Sequence, residues 1–144
     1  MLDLKNTKIG IIGLGYVGLP LAVEFGKQYP TVGLDLKKAR VDELSAGRDS
    51  TLEVTSEELA EARQLGFSSS PEALADCNVY IVTVPTPIDS HNQPDLSCLK
   101  AASESVGGLV KIGDVVIFES TVFPGATEEV CIPLIEEVSG LEYN

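Results

Sequence analysis

The sequence Lys8-Ile9-Gly10-Ile11-Ile12-Gly13-Leu14-Gly15-Tyr16-Val17-Gly18-Leu19-Pro20 decides the fold of this chain. A short apolar run that predicts a buried strand ends at Gly13. From there Gly13, Gly15 and Gly18 follow the spacing G-x-G-x-x-G into a helical pattern. Between a strand and a helix, this spacing is the dinucleotide-binding fingerprint of a Rossmann unit. The sequence therefore predicts a dinucleotide site at the start of the first helix.

Each of the three glycines has a separate expected role. Gly13 permits the tight turn, Gly15 lets a pyrophosphate approach the backbone, and Gly18 lets the helix pack closely against its strand. The N-terminus of the helix carries unpaired N–H groups and a partial positive charge, and both attract phosphate.

Composition limits the class of protein and of ligand. The chain has 144 residues, of which 44% are hydrophobic, and a net charge of −12, which predicts one folded domain spanning 1–144. Residues 1–48 hold seven basic and five acidic residues, whereas 49–144 hold three basic and seventeen acidic residues. We therefore expect an anionic ligand on the N-terminal half. We expect no nucleic-acid partner, because so acidic a surface repels a phosphate backbone.

The sequence also bears on location and on metal binding. No apolar run approaches the roughly 18 residues of a membrane-spanning helix, and the N-terminus lacks the pattern of a secretory signal. We therefore expect no membrane partner and a cytoplasmic location. Cys77, Cys98 and Cys131 are odd in number and widely spaced, which argues against a disulfide framework and against a zinc site. We expect three buried, structural free thiols and no metal.

The second predicted strand, at 31–36, includes an acidic residue, Asp35, 20 residues after Gly15. A Rossmann unit has at about this distance the carboxylate that binds the adenosine ribose. A carboxylate favours NAD over NADP, because the 2′-phosphate of NADP would meet a like charge. NADP stays an alternative because three nearby cations could accommodate that phosphate, namely Lys37, Lys38 and Arg40.

The rest of the chain alternates predicted helices and strands. Helices are predicted at 37–46, 55–65, 70–75, 96–110 and 127–138, and strands at 78–84 and 114–120, with a possible short strand near Phe67. Such alternation is typical of a parallel sheet with helices on both faces. The predicted fold class is α/β, a Rossmann-type, doubly wound parallel sheet in a single domain.

The strand at 78–84 ends in Val84-Pro85-Thr86-Pro87. Two prolines stop strand pairing at the carboxyl edge of the sheet, where α/β folds bind their ligands. Thr83 and Thr86 could offer hydroxyl groups to the cofactor there, although an ordinary strand terminator explains the prolines equally well. The loop that follows contains the single histidine, His91, which we expect to be solvated.

Four motifs occur in order along the chain: Gly13-Leu14-Gly15-Tyr16-Val17-Gly18-Leu19-Pro20, Asp35 with Arg40 five positions later, Val84-Pro85-Thr86-Pro87, and Glu119-Ser120-Thr121-Val122-Phe123-Pro124-Gly125-Ala126-Thr127. Together they resemble the N-terminal domain of the UDP-glucose/GDP-mannose dehydrogenase family. The Ser-Thr-Val-Phe-Pro-Gly form is most similar to the branch that oxidises UDP-N-acetylhexosamines to uronic acids for surface polysaccharides.

This resemblance implies a cofactor and the residues that bind it. It implies NAD, with the pyrophosphate held by Gly13, Leu14, Gly15, Tyr16, Val17 and Gly18. It places Asp35 and Arg40 at the adenosine ribose. It places at the nicotinamide side Thr83, Val84, Pro85, Thr86, Ser120 and Thr121, with Thr121 nearest the chemistry. It further implies a nucleotide-sugar substrate and a homo-oligomer at full length.

The sequence departs from the family pattern in one respect. Members of the family oxidise a primary alcohol to an acid in two NAD-dependent steps, through a thiohemiacetal on a cysteine in a Gly-Gly-x-Cys segment of a later domain. That segment does not occur within 1–144, and the family's catalytic lysine and asparagine would also lie downstream. We therefore expect an NAD-binding part of a longer enzyme, without catalytic residues of its own and inactive alone.

Two alternatives remain open at this point. The β-hydroxyacid dehydrogenases, which the resemblance fits less well, also begin with a G-x-G-x-x-G domain. Nucleotide-sensing regulatory domains of transporters are stand-alone Rossmann folds of similar size, and they sense a nucleotide instead of oxidising a substrate.

Overall fold

The sheet contains five strands, all parallel, in a computed structural model that describes residues 3–119 and 125–143. The strands are β1 (Ile9–Ile12), β2 (Thr31–Leu34), β3 (Leu65–Ser68), β4 (Val79–Val82) and β5 (Val115–Phe118). They pair in the order β3-β2-β1-β4-β5. The predicted α/β class and parallel sheet are confirmed.

Five α-helices connect or follow these strands. They are α1 (Gly18–Gly26), α2 (Lys38–Ser45), α3 (Ser56–Glu61), α4 (Ser97–Gly107) and α5 (Ile132–Ser139). Short helical turns occur at Leu4–Asn6, Pro71–Leu74 and Thr127–Cys131, the last with π-helical bonding. Within the described ranges, no helix is long and apolar enough to cross a membrane.

The prediction of one helix over 55–65 is wrong at its C-terminal end. The helix starts as expected, with the Thr55 hydroxyl accepting a hydrogen bond from the Glu58 amide at 3.1 Å, but it ends at Glu61. Leu65 instead begins β3, where it is in register with Thr31 of β2. Sheet pairing and packing against Gly26 of α1 thus override the helical pattern in the sequence. The possible strand near Phe67 is confirmed.

The two central strands are buried on both faces, as a doubly wound sheet requires. Ile9 and Ile11 of β1 pack into one core, together with Val79 and Ile81 of β4, under α1. The intervening residues of the two strands belong to the other core, against α4, with Ile12, Tyr80 and Val82 as members. Successive side chains of a strand point to opposite faces of the sheet. A strand buried on both faces is therefore apolar at every position, and the continuous apolar runs predicted these strands correctly.

The order of the strands creates a crevice at the carboxyl edge of the sheet. β1 and β4 are neighbours in the sheet. The connection after β1 leads to β2 on one side of this pair, and the connection after β4 leads to β5 on the other side. The two connections therefore run in opposite directions. Ligands of open α/β sheets bind at such a switch point. Gly13 and Thr83, which directly follow the paired residues Ile12 and Val82, lie at this crevice.

The three cysteines are free thiols, as predicted. Cys77 and Cys131 are buried, and burial raises the pKa of both, that of Cys77 to about 11. The expectation of burial is wrong for Cys98, which is exposed, because the neighbouring Leu99 occupies the inward position on α4.

Candidate dinucleotide-binding site

Gly13 turns the chain from β1 into the loop that precedes α1. Its φ is +102°, in a region where residues with a side chain are strained. A Cβ at this position would also lie 3.1 Å from the backbone of Thr83 and Val84. The tight turn expected at Gly13 is therefore present, and it requires glycine for two independent reasons.

Gly18 is the point of closest contact between α1 and the end of β1. A Cβ on Gly18 would lie 1.8 Å from the carbonyl oxygen of Gly13 and 2.4 Å from the hydroxyl of Thr83. Both distances are far below van der Waals contact. The close packing expected at Gly18 is confirmed.

The space beside Gly15 is open. Apart from its two chain neighbours, no described residue has an atom within 4 Å of a Cβ built on Gly15. Among the residues that the structure describes, none accepts a hydrogen bond from the backbone N–H groups of Gly15, Tyr16, Val17 and Gly18. Four donors at the start of a helix, next to open space, fit an anionic group such as a pyrophosphate.

Leu14 is fixed by its side chain, its N–H and its carbonyl. Its side chain is fully buried and fills the space that a Cβ on Gly33 of β2 would need, since that Cβ would lie 2.7 Å from Leu14 Cδ2. Its N–H donates to Asp35 Oδ2 at 3.2 Å. Its carbonyl oxygen accepts hydrogen bonds from Arg40, from Nε at 3.0 Å and from Nη2 at 2.8 Å.

Asp35 lies directly after β2, beside the loop, where the sequence predicts a ribose ligand. Its Oδ1 accepts a hydrogen bond from the Lys37 amide at 2.9 Å, and its Oδ2 accepts the Leu14 amide. The carboxylate is partly exposed, so it keeps acceptor capacity for a ligand hydroxyl. It is thus held against Leu14, the residue that directly precedes the first of the four amides.

Arg40 points toward the same loop but is enclosed by protein. Its side chain is 11% exposed. Besides the two bonds to Leu14, Nη1 donates to Glu43 Oε1 at 2.6 Å and to Asp49 Oδ1 at 2.8 Å, and Nη2 donates to Thr51 Oγ1 at 3.3 Å. A guanidinium has five N–H donors, and all five are engaged within the chain.

Asp49 is a buried carboxylate with no solvent-exposed side-chain surface. Burial opposes its charge, but hydrogen bonds from Thr51, from Arg40 and from the Val54 amide outweigh burial and hold the pKa of Asp49 well below its ordinary value. The pKa of Glu43 is also lowered, mainly by hydrogen bonds from Ser50, with a contribution from Arg40. Asp49 therefore carries a permanent negative charge beneath the loop at neutral pH.

The segment after β4 is placed at the same edge of the sheet. The Thr83 hydroxyl is buried and lies 2.7 Å from the Gly13 carbonyl oxygen and 3.1 Å from that of Ile12. It therefore joins the ends of β1 and β4. Val84 and Thr86 are partly buried and Pro85 is exposed. The remaining predicted nicotinamide-side residues, Ser120 and Thr121, lie outside the described residues.

In the described ranges, no group of three or more His, Cys, Asp or Glu side chains is placed to hold a metal ion. His91 lies in an exposed loop, where its backbone amide donates to Asp89 Oδ1 at 2.8 Å.

The sequence alone did not identify Asp49, Glu43 or Thr51 as parts of the site. Asp49 and Thr51 belong to a stretch that reads as a polar loop. The composition Asp49-Ser50-Thr51 is typical of a side-chain-stabilised turn, but nothing in it indicates Arg40 as the partner. Only the fold brings this turn under the glycine loop.

The chain is similar in sequence to known proteins. A sequence profile described as "UDP-glucose/GDP-mannose dehydrogenase family, NAD binding domain" matches residues 7–144. UDP-N-acetyl-D-glucosamine 6-dehydrogenase of Pseudomonas aeruginosa is 58% identical over 141 residues, which are 98% of this chain and 33% of that protein. The enzyme of the same name from Salmonella typhi is 55% identical over 144 residues, 100% of this chain and 34% of that protein.

Solved structures of similar proteins show the same fold. A ternary complex of GDP-mannose dehydrogenase from Pseudomonas aeruginosa superposes with a TM-score of 0.87 at 28% identity, over 94% of this chain and 33% of the other. UDP-D-ManNAc dehydrogenase from Pyrococcus horikoshii gives a TM-score of 0.84 at 33% identity, over 96% and 34% of the two chains. The chain spans about a third of the length of these relatives.

Proposed function

Because the chain belongs to the UDP-glucose/GDP-mannose dehydrogenase family and matches its NAD-binding domain, we propose that it is the cofactor-binding part of a longer nucleotide-sugar 6-dehydrogenase. The observation that carries this proposal is the combination of four unpaired amides, open space at Gly15 and the carboxylate of Asp35 at one edge of the sheet. Phosphate and ribose hydroxyl groups are the ligands that these donors and this acceptor suit.

The residues of the chain divide the binding of NAD between them. The amides of Gly15, Tyr16, Val17 and Gly18 would hold the pyrophosphate, and Asp35 would accept hydrogen bonds from the adenosine ribose. Thr83 supports the loop by joining Gly13 to β4. The contact of Arg40 with the ribose region stays a prediction. Contacts with the nicotinamide side also stay predictions for Thr83, Val84, Pro85, Thr86, Ser120 and Thr121. When bound, NAD accepts hydride from the alcohol that is oxidised.

The substrate that we propose is a UDP-N-acetylhexosamine, oxidised to the uronic acid. Support comes from the relatives at 58% and 55% identity, both named UDP-N-acetyl-D-glucosamine 6-dehydrogenases. Neither a β-hydroxyacid dehydrogenase nor a transporter-linked sensor is favoured by the family match. The homo-oligomer expected of the longer protein stays a prediction. We also propose a cytoplasmic location, supported by the three free thiols.

The substrate proposal predicts the activity of a protein extended to the length of its relatives. With NAD and UDP-N-acetylglucosamine, the extended protein should form two NADH per sugar, and its kcat/KM should exceed that for UDP-glucose by about tenfold or more. The 144-residue chain alone should bind NAD and form no NADH. NADH absorbance measures both. Absence of turnover with every UDP-N-acetylhexosamine would contradict the substrate assignment.

The choice of NAD over NADP predicts the behaviour of Asp35→Asn. Wild-type protein should prefer NAD, and removing the carboxylate charge should reduce this preference by about tenfold, since a charged hydrogen-bond partner contributes about 1.5–3 kcal/mol. Calorimetric titration with each cofactor gives the ratio of affinities. Asp42→Asn, which removes an exposed carboxylate of α2, is the matched control and should leave the ratio unchanged. An equal ratio of NAD to NADP affinity in wild type and Asp35→Asn would mean that Asp35 does not bind the ribose.

A further inference from the structure

We propose that Thr83 is a positioning residue for Asp35, and that it acts through the peptide group between Gly13 and Leu14. The end of β4 thereby helps to orient the carboxylate at the adenosine end of the dinucleotide site. This inference rests on the proposed function and extends it, because the resemblance to the family implies for Thr83 only a contact at the nicotinamide side.

The hydroxyl of Thr83 donates to the Gly13 carbonyl. Thr83 is 8% exposed, and its Oγ1 lies 2.7 Å from the carbonyl oxygen of Gly13 and 3.1 Å from that of Ile12. A hydroxyl has one proton to donate. The Ile12 oxygen already accepts the Thr83 amide at 2.9 Å, whereas no other described residue donates to the Gly13 oxygen. The shorter contact is therefore the one that carries the proton.

Gly18 leaves the space in which this hydrogen bond forms. A Cβ on Gly18 would lie 2.4 Å from Thr83 Oγ1 and 1.8 Å from the Gly13 carbonyl oxygen, so a side chain there would displace one of the two. The bond is thus enclosed between the start of α1 and the ends of β1 and β4. Because Thr83 and Gly18 are both buried, water has little access to replace a lost donor, and the loss is costly.

One peptide group connects Thr83 to Asp35. The carbonyl of Gly13, which accepts from Thr83, and the N–H of Leu14 belong to the same peptide. That N–H donates to Asp35 Oδ2 at 3.2 Å. A donor at the carbonyl fixes the plane of the peptide and strengthens the bond made by the N–H, because linked hydrogen bonds polarise one another. A chain of hydrogen bonds therefore runs from the end of β4 to the end of β2.

The carboxylate of Asp35 is held by two backbone amides. Its Oδ2 accepts the Leu14 amide, and its Oδ1 accepts the Lys37 amide at 2.9 Å. In the part of the chain that the structure describes, no third hydrogen bond holds this partly exposed residue. Weakening the bond to Leu14 therefore loosens the carboxylate that the proposed function assigns to the ribose hydroxyls.

Calorimetric titration of the 144-residue chain with ADP tests this role, because ADP contains the adenosine ribose and lacks nicotinamide. Thr83→Ala should weaken ADP binding by about fivefold, which corresponds to one ordinary hydrogen bond. Thr83→Ser keeps the hydroxyl and should restore the affinity to within about twofold of wild type. Unchanged ADP affinity in Thr83→Ala would overturn the proposal, since a residue that acts only at the nicotinamide does not affect a ligand without it.

Thr31→Ala is the matched control for Thr83→Ala. Thr31 is also buried, and its hydroxyl donates to the Tyr29 carbonyl oxygen at 2.9 Å. It is the first residue of β2, so it lies at the edge of the sheet opposite to the crevice. The substitution removes the same kind of hydrogen bond, and it should leave the ADP affinity within about twofold of wild type.

A ligand without ribose hydroxyls separates Asp35 from the phosphate-binding amides. Thr83→Ala and wild-type protein should bind 2′,3′-dideoxy-ADP equally, because the hydroxyl groups that Asp35 accepts from are missing. An equal loss with ADP and with the dideoxy compound would mean that Thr83 acts on the amides of the glycine loop, and it would contradict the role proposed for Asp35. If Thr83→Ala does not fold, Thr83→Val keeps the branched shape, removes the same donor and should give the same pattern.

Heteronuclear NMR follows this chain of hydrogen bonds without any ligand. The amide of Lys37 is the reporter, since it donates to Oδ1 of Asp35. Its resonance should shift in Thr83→Ala and keep its position in Thr83→Ser and in Thr31→Ala. A purely structural role of Thr83 would change only the residues in contact with it. A Lys37 amide that does not shift in Thr83→Ala would also overturn the proposal.

The two kinds of measurement separate this inference from the proposed function. Wild-type protein that binds neither NAD nor ADP would contradict the proposed function. The Lys37 resonance would then decide by itself whether Thr83 positions Asp35.

Discussion

Gly15→Ala is expected to weaken NAD binding by about 100-fold, because a methyl group would occupy the space through which the pyrophosphate approaches the backbone. The same substitution should leave the free energy of unfolding within about 0.5 kcal/mol of wild type or raise it slightly. Within 3–119 and 125–143, and apart from the two chain neighbours, no atom lies within 4 Å of the added Cβ, and the backbone of Gly15 needs no positive φ. Calorimetry with NAD and urea unfolding measure the two quantities.

Gly66→Ala is the matched control for Gly15→Ala. Gly66 lies in β3, where an added Cβ also meets no described residue within 4 Å apart from its chain neighbours and where φ is not positive. The control should bind NAD as the wild type does. Unchanged affinity in Gly15→Ala would mean that the pyrophosphate does not lie against this part of the loop, and the candidate site would then be wrong.

Gly18→Ala is expected to have the opposite pattern, with its main effect on folding. An added Cβ would lie 1.8 Å from the Gly13 carbonyl oxygen, which is a backbone atom that cannot rotate away. Relief requires α1 to move away from β1, and we expect the free energy of unfolding to fall by about 3 kcal/mol, at the upper end of the usual range for overpacking. Urea unfolding monitored by circular dichroism measures this loss.

The comparison of the two alanine variants separates the two roles within one motif. Gly15→Ala should keep the fold and lose the ligand, whereas Gly18→Ala should lose stability even without ligand. Gly18→Ala with wild-type stability would contradict the contact with Gly13 and Thr83. An unstable Gly15→Ala would contradict the open space beside the loop.

Much of the fold could be predicted because each central strand is a continuous apolar run. Residues 79–82 are buried on both faces of the sheet, and a continuous apolar run predicts such a strand. The helix at 55–65 was predicted too long, because the register of Leu65 with Thr31 depends on the sheet. Local patterns do not contain that information. Cys98 was misplaced for a related reason, since one position along a helix separates an exposed side chain from a buried one.

Only those residues of the candidate site could be predicted whose positions follow from the backbone geometry of the strand–loop–helix unit. The turn at Gly13, the close contact at Gly18 and the carboxylate of Asp35 beside the loop all follow from the strand–loop–helix geometry. The contacts of Arg40 do not follow from it, because Asp49 reaches Arg40 through the fold of an irregular segment. The hydroxyl of Thr83 lies against the Gly13 carbonyl, which the sequence did not predict, and its contact with the cofactor stays a prediction.

The fixation of Leu14 has a consequence for the thermodynamics of binding. A loop that must become ordered when its ligand arrives loses conformational entropy at that moment, at a cost of about 1–2 kcal/mol per residue. Here the side chain, amide and carbonyl of Leu14 are held by contacts within the chain itself. The entropy cost of ordering this peptide is therefore included in the free energy of folding. The affinity for a dinucleotide is accordingly not reduced by that entropy.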